Sequence, residues 1–166
     1  MALAAPQPPA SLTAISHGEP PVNRLVLLAA LALASGPALA DTPTLTLNLT
    51  FDAEAQAALA ERGEMVTVSA YFYGDPAPGA TAPTDPEMGW INLGAEEYRL
   101  PAAPVTLTLG QGLAIAPLDQ VVAPMVNVNI FTARLTDEDN LIDCGFIDTA
   151  MAELTAPQNL TCTLLK

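Results

Sequence analysis

Leu45, Leu47, Leu49 and Phe51 alternate with Thr44, Thr46, Asn48 and Thr50. This period of two predicts a half-buried strand over 44–51. Asp52 then reads as a helix N-cap, Ala53 to Arg62 as a helix of about three turns, and Gly63 as its stop. Alternation returns from Met65 to Tyr73, with Val66, Val68, Ala70 and Phe72 on one side and Thr67, Ser69, Tyr71 and Tyr73 on the other. Residues 74–89 hold Pro76, Pro78, Pro83 and Pro86 without periodicity, which predicts a long loop.

Further short strands are predicted at Trp90–Leu93, Glu97–Leu100, Val105–Leu109, Leu113–Ala116, Met125–Leu135, Leu141–Asp148 and Asn159–Leu165. In the fifth of these, Val126, Val128 and Ile130 share one face and Asn127, Asn129 and Phe131 the other. Short strands separated by turn signals predict a mainly β protein. The expected fold is an antiparallel β-sandwich of about seven to eight strands, with one short helix near the N-terminus of the mature chain.

The segment before this pattern reads differently. Arg24 precedes ten apolar residues, Leu25 to Ala34, then Ser35-Gly36-Pro37 and Ala38-Leu39-Ala40. That is the form of a secretory signal peptide cleaved after Ala40, and the run is too short for a membrane-spanning helix. Residues 1–40 are therefore expected to be leader and cleaved signal, and 41–166 a single domain. The long neutral leader points to a true start at Val22, directly before Asn23-Arg24. The expected location is periplasmic or secreted.

Cleavage changes the chemistry of the chain. His17, the single histidine, lies in the leader. Residues 41–166 keep four basic side chains, Arg62, Arg99, Arg134 and Lys166, against seventeen acidic ones. Such a surface argues against nucleic acid and against anionic lipid. Cys144 and Cys162 form an even pair in an exported chain, which predicts a structural disulfide. Without histidine, and with Ser69 as the only serine after the leader, Ser-His and Cys-His nucleophiles and imidazole-based metal sites are excluded. A carboxylate-only hydrolase survives on residue types alone. Asn48-Leu49-Thr50 and Asn159-Leu160-Thr161 match the glycosylation acceptor pattern, but both fall inside expected strands.

Two constellations remain. Asp137, Asp139 and Asp143 cluster near an acidic turn, and the long loop adds Asp75, Asp85 and Glu87. Oxygen ligands of this kind suit calcium. Two acidic loops at one end of a sandwich resemble a C2-type domain, over two short segments and with no diagnostic motif. That resemblance implies a calcium-dependent binding module using loops 75–87 and 137–143. The plain alternative is a solvated acidic turn. The second constellation is Tyr71, Tyr73 and Trp90, a candidate binding patch; the alternative is that the tyrosines cover an edge or pack beneath the helix. The leading expectation is a non-enzymatic binding or accessory domain, without a required cofactor, whose partner is another envelope protein.

Overall fold

A computed structural model describes residues 42–166. The signal peptide, the cleavage after Ala40, the Val22 start and His17 lie outside the described residues. Eight strands form two four-stranded sheets: β1 (Leu45–Phe51), β2 (Met65–Gly74), β3 (Ile91–Pro101), β4 (Val105–Leu109), β5 (Met125–Thr132), β6 (Ile142–Asp143), β7 (Phe146–Ala150) and β8 (Gln158–Leu164). Sheet 1 has the order β4-β1-β8-β6 and sheet 2 the order β3-β2-β5-β7. Pairing is antiparallel except for β1 with β8, which run parallel from Leu47 opposite Gln158 to Phe51 opposite Cys162. The mainly β sandwich with one helix is as the sequence predicts.

The alternation sets the core. Leu45, Leu47 and Leu49 from sheet 1 are buried, as are Val66, Val68, Ala70, Phe72, Val126, Val128 and Ile130 from sheet 2. Each of these larger side chains contributes roughly 1.5–3 kcal/mol on leaving water, and Ala70 less. The helix α1 (Ala53–Arg62) starts where Asp52 accepts a 2.6 Å hydrogen bond from the Ala55 amide. It ends at Gly63, whose φ of 66° is the left-handed conformation of a helix stop. Ala55 and Leu59 dock this helix into the core, and it packs against β8.

Several predicted elements differ. Trp90–Leu93 and Glu97–Leu100 belong to one strand, β3, with Trp90 just before its start. The register between β2 and β3 shifts between Phe72 and Tyr73, so a bulge at Leu93–Gly94 absorbs the apparent break. Leu113–Ala116 is not a strand; Gln111–Ile115 forms a 3-10 turn that buries Leu113. The Glu96 carboxylate holds that turn to β3 by accepting from the Gly110 amide (3.0 Å) and the Gly112 amide (2.9 Å). Strand β5 stops at Thr132, and Arg134 takes a φ of 57°. Leu141–Asp148 is split into β6 in sheet 1 and β7 in sheet 2, so Cys144 sits at the corner between sheets rather than on a strand.

The Cys144–Cys162 disulfide pins that corner to β8. In the chain-entropy account, closing a loop of this length contributes about 3 kcal/mol. Bonds of this kind form and persist mainly in oxidising compartments. No helix among the described residues is long and apolar enough to cross a membrane.

At the start of β2, Glu64 is only 4% exposed. Its carboxylate accepts from the amides of Met65 (3.0 Å), Leu135 (3.1 Å) and Thr136 (2.8 Å), and from the Thr136 hydroxyl (2.8 Å). It thereby stitches the segment after β5 to the sandwich.

Candidate functional site

The two outer faces of the sandwich differ in chemistry. On sheet 1 several outward threonine and asparagine side chains bond one another. Thr106 donates to Asn48 Oδ1 (2.8 Å), Asn48 Nδ2 donates to Asn159 Oδ1 (3.0 Å), and the Thr50 and Thr161 hydroxyls pair at 2.9 Å. Both asparagines of the glycosylation pattern are thus tied to each other across β1 and β8.

On sheet 2, register determines which side chains share the outer face. Tyr71 lies opposite Asn127, Tyr73 opposite Met125 and Thr67 opposite Phe131 across β2 and β5. Across β5 and β7, Asn127 lies opposite Asp148 and Asn129 opposite Phe146. Phe146 is 68% exposed. The outer face therefore carries Tyr71, Tyr73, Phe131, Phe146 and Met125 among asparagines.

The three aromatics singled out in the sequence come together at the end of this face. Tyr71 stacks on Tyr73 with ring centroids 5.7 Å apart, and Tyr73 lies 4.2 Å from Trp90 at a tilt of 43°. The helix does not cover them: α1 packs against β8, in the other sheet. The β3 bulge opposite Phe72 and Tyr73 falls at this point, just beyond Trp90. Tyr73 donates to Asp148 Oδ1 at 2.7 Å. Burial, then the hydrogen bond to Asp148 and the negative charges of Asp148 and Asp75, push its phenol up to about 12. Trp90 Nε1 is shielded from solvent and has no acceptor among the described residues.

Beside these rings lies a pocket of about 310 Å³, lined by Tyr73, Asp75, Trp90, Val122, Ala123 and Met125. It exists because Gly74 lets the 121–123 segment press against the end of β2. A Cβ on Gly74 would lie 2.8 Å from the Ala123 carbonyl oxygen and 2.8 Å from Val121 Cβ. The long loop is ordered onto the same segment. Val122 donates its amide to the Asp75 carbonyl (2.9 Å), Ala77 to the Gln120 carbonyl (2.8 Å), and Pro76 bridges Val121. Val122, Ala123, Met125, Phe131 and Phe146 were not sequence candidates. The alternation of β5 already places Phe131 outward with the asparagines; Phe146 and the pocket wall need the pairing of β5 with β7 and the approach at Gly74.

The acidic residues do not converge. Asp75 and Asp85 follow the end of β2, whereas Asp137 and Asp139 follow β5, which runs antiparallel and ends beside the start of β2. Ten residues of strand, about 30 Å at 3.3 Å each, separate the two groups. A single ion cannot be held by both loops, which corrects the expected two-loop calcium geometry. Within the groups, the carboxylates serve their own turns. Asp85 accepts from the amides of Glu87 (2.9 Å) and Met88 (2.8 Å), and Asp143 from Gly145 (3.0 Å). Asp137 pairs with Arg62 at 2.9 Å and accepts from the Asp139 amide at 3.1 Å. No group of three or more metal-ligating side chains occurs among the described residues.

Comparison with known proteins found no matching family model, no similar curated protein and no similar solved structure.

Proposed function

We propose that this chain is an exported, periplasmic or secreted, non-enzymatic binding domain that docks another envelope protein on the outer face of sheet 2. The observation that carries this reading is the contrast between the two faces. Sheet 1 presents threonines and asparagines, five of them paired with one another, while sheet 2 holds Tyr71, Tyr73 and Phe131 half-buried and Phe146 68% exposed. Exposed aromatics grouped on one face mark interaction surfaces, because rings supply large contact area at low entropic cost. Export is supported by the disulfide, which needs an oxidising compartment.

Site-specific photo-crosslinking in the producing cell tests the reading. A benzophenone side chain placed at Asn129 or Phe146 is expected to give a discrete adduct, and one placed at Thr108 or Thr161 on sheet 1 is expected to give none. No adduct from sheet 2, or equal adducts from both faces, would overturn it.

A further inference from the structure

The charges of the described chain are segregated along the strands. Arg99 lies opposite Thr67 near the start of β2, and Arg134 follows the end of β5 at that same end. Arg62 pairs with Asp137 in the loop after β5. Lys166 follows β8, whose last residues pair with β6 just beyond that loop. All four basic side chains of residues 42–166 therefore sit at one end. The pocket beside Tyr73 and Trp90 is at the other, with Asp75, Asp85, Glu87, Asp119, Asp148 and Glu153 around the same end. Arg99 stands opposite Thr67, six residues or about 20 Å along β2 from Tyr73, which exceeds the Debye length of about 8 Å in physiological salt. No basic residue among the described residues neutralises the pocket.

Inside it, the Tyr73 and Trp90 rings form one wall, and the Asp75 carboxylate is engaged by no donor among the described residues. Ring faces are electron-rich and attract cations, and the exposed Asp75 carboxylate beside them adds a charge for the same cation. A planar guanidinium stacks on rings and pairs with a carboxylate at once, which a compact ammonium does less well. Val122, Ala123 and Met125 supply an apolar sleeve for an aliphatic stem. From this juxtaposition we infer that the pocket receives an arginine side chain of the protein partner. The inference rests on the docking reading and specifies how that face is recognised. The high phenol of Tyr73 fits the same field: burial and the two nearby aspartates favour its neutral form.

Trp90 is the single tryptophan of the chain, so its emission reports the pocket directly. The test titrates the full exported protein with acetyl-arginine methylamide at constant ionic strength. Acetyl-citrulline methylamide, a neutral isostere, and tetramethylammonium serve as controls. A saturable change with the arginine probe is expected, at least tenfold weaker for citrulline and about tenfold weaker in Asp75→Asn, the loss of one charge-assisted contact. Equal responses to arginine and citrulline, or no loss in Asp75→Asn with unchanged melting, would overturn the assignment. Tighter binding of tetramethylammonium would overturn it in favour of a free ammonium ligand. The crosslinks at Asn129 and Phe146 separate the two readings. Adducts that persist undiminished in Asp75→Asn overturn the arginine contact alone. Arginine binding without any adduct overturns the docking of a protein partner.

Discussion

Replacing Glu64 by glutamine should cost about 3 kcal/mol at neutral pH, and that cost should vanish in acid. Burial alone pushes the Glu64 carboxyl up; the donors from Leu135, Thr136 and Met65 outweigh it and bring the group from 4.5 down to about 2. At about 1.4 kcal/mol per pH unit, the interval between those values corresponds to about 3 kcal/mol of stability. Because the folded value is depressed, this stability is present above pH 4.5 and drains away as pH falls towards 2. Glutamine keeps one acceptor oxygen and turns an amide donor towards groups that also donate, so it loses both charge and complementarity. Thr136→Val removes one of the four bonds and should cost about 1 kcal/mol. Urea unfolding of wild type, Glu64→Gln and Thr136→Val, followed by Trp90 emission at pH 7, 5, 4, 3 and 2.5, measures the differences directly. The other carboxylates titrate in all three proteins and cancel. A Glu64→Gln penalty below about 0.5 kcal/mol at pH 7, or one that stays constant from pH 5 to 2.5, would refute the assignment of this stability to the Glu64 carboxylate.

Reduction, or Cys144→Ala with Cys162→Ala, should lower stability by about 3 kcal/mol, read as a shift of the urea midpoint; alkylation before reduction should add no mass. Gly74→Ala should cost about 1–3 kcal/mol through overpacking against Ala123 and Val121, and should shift Trp90 emission as the pocket wall moves, whereas unchanged emission would contradict the described approach. Calcium should leave the melting temperature where chelator leaves it, since the two acidic loops lie at opposite ends of β2; a rise with calcium would mean that a site binds the folded state. In alkaline titration of the three tyrosines, Tyr73→Phe should remove a late transition near pH 12.

What could be read from sequence was what depends on neighbours in the chain. The alternation of β1, β2 and β5 placed their core residues correctly, because a one-residue slip would turn Leu47 or Val68 out to water. Asp52 and Gly63 marked α1 through local hydrogen bonding. Gly94 misled, because a glycine between two apolar pairs reads as a break, yet here it lies in a bulge with a φ of 134° that keeps one strand running. The apolar run at 113–116 misled for a related reason. Glu96 captures the amides at 110 and 112, and Gly110 adopts a φ of 95°, so the chain turns instead of extending. The parallel pairing of β1 with β8 joins residues 111 apart, and no local signal encodes it. The site followed the same division. Tyr71 and Tyr73 share a face by period alone, but their meeting with Trp90 depends on how the loop 75–90 folds back.

The acidic side chains carry the same lesson into function. Along the sequence Asp75, Asp85, Asp137, Asp139 and Asp143 look like one set of oxygen ligands. Strand direction divides them: β2 carries the first two to one end, and β5 returns the chain to the other. At that second end Asp137 meets Arg62, and Asp143 closes its own turn. At the first end no arginine or lysine lies among the described residues, and Asp75 lines a pocket walled by aromatic rings. Asp75 is exposed at the pocket rim, and no cation of the described residues pairs with it. The adjoining face leaves Phe146 at 68% exposure. A single partner answers both by covering Phe146 while bringing a positive charge to Asp75. On sheet 1, Asn48, Asn159, Thr106, Thr50 and Thr161 already answer one another, so docking there would compete with bonds within the face and would find no exposed aromatic ring.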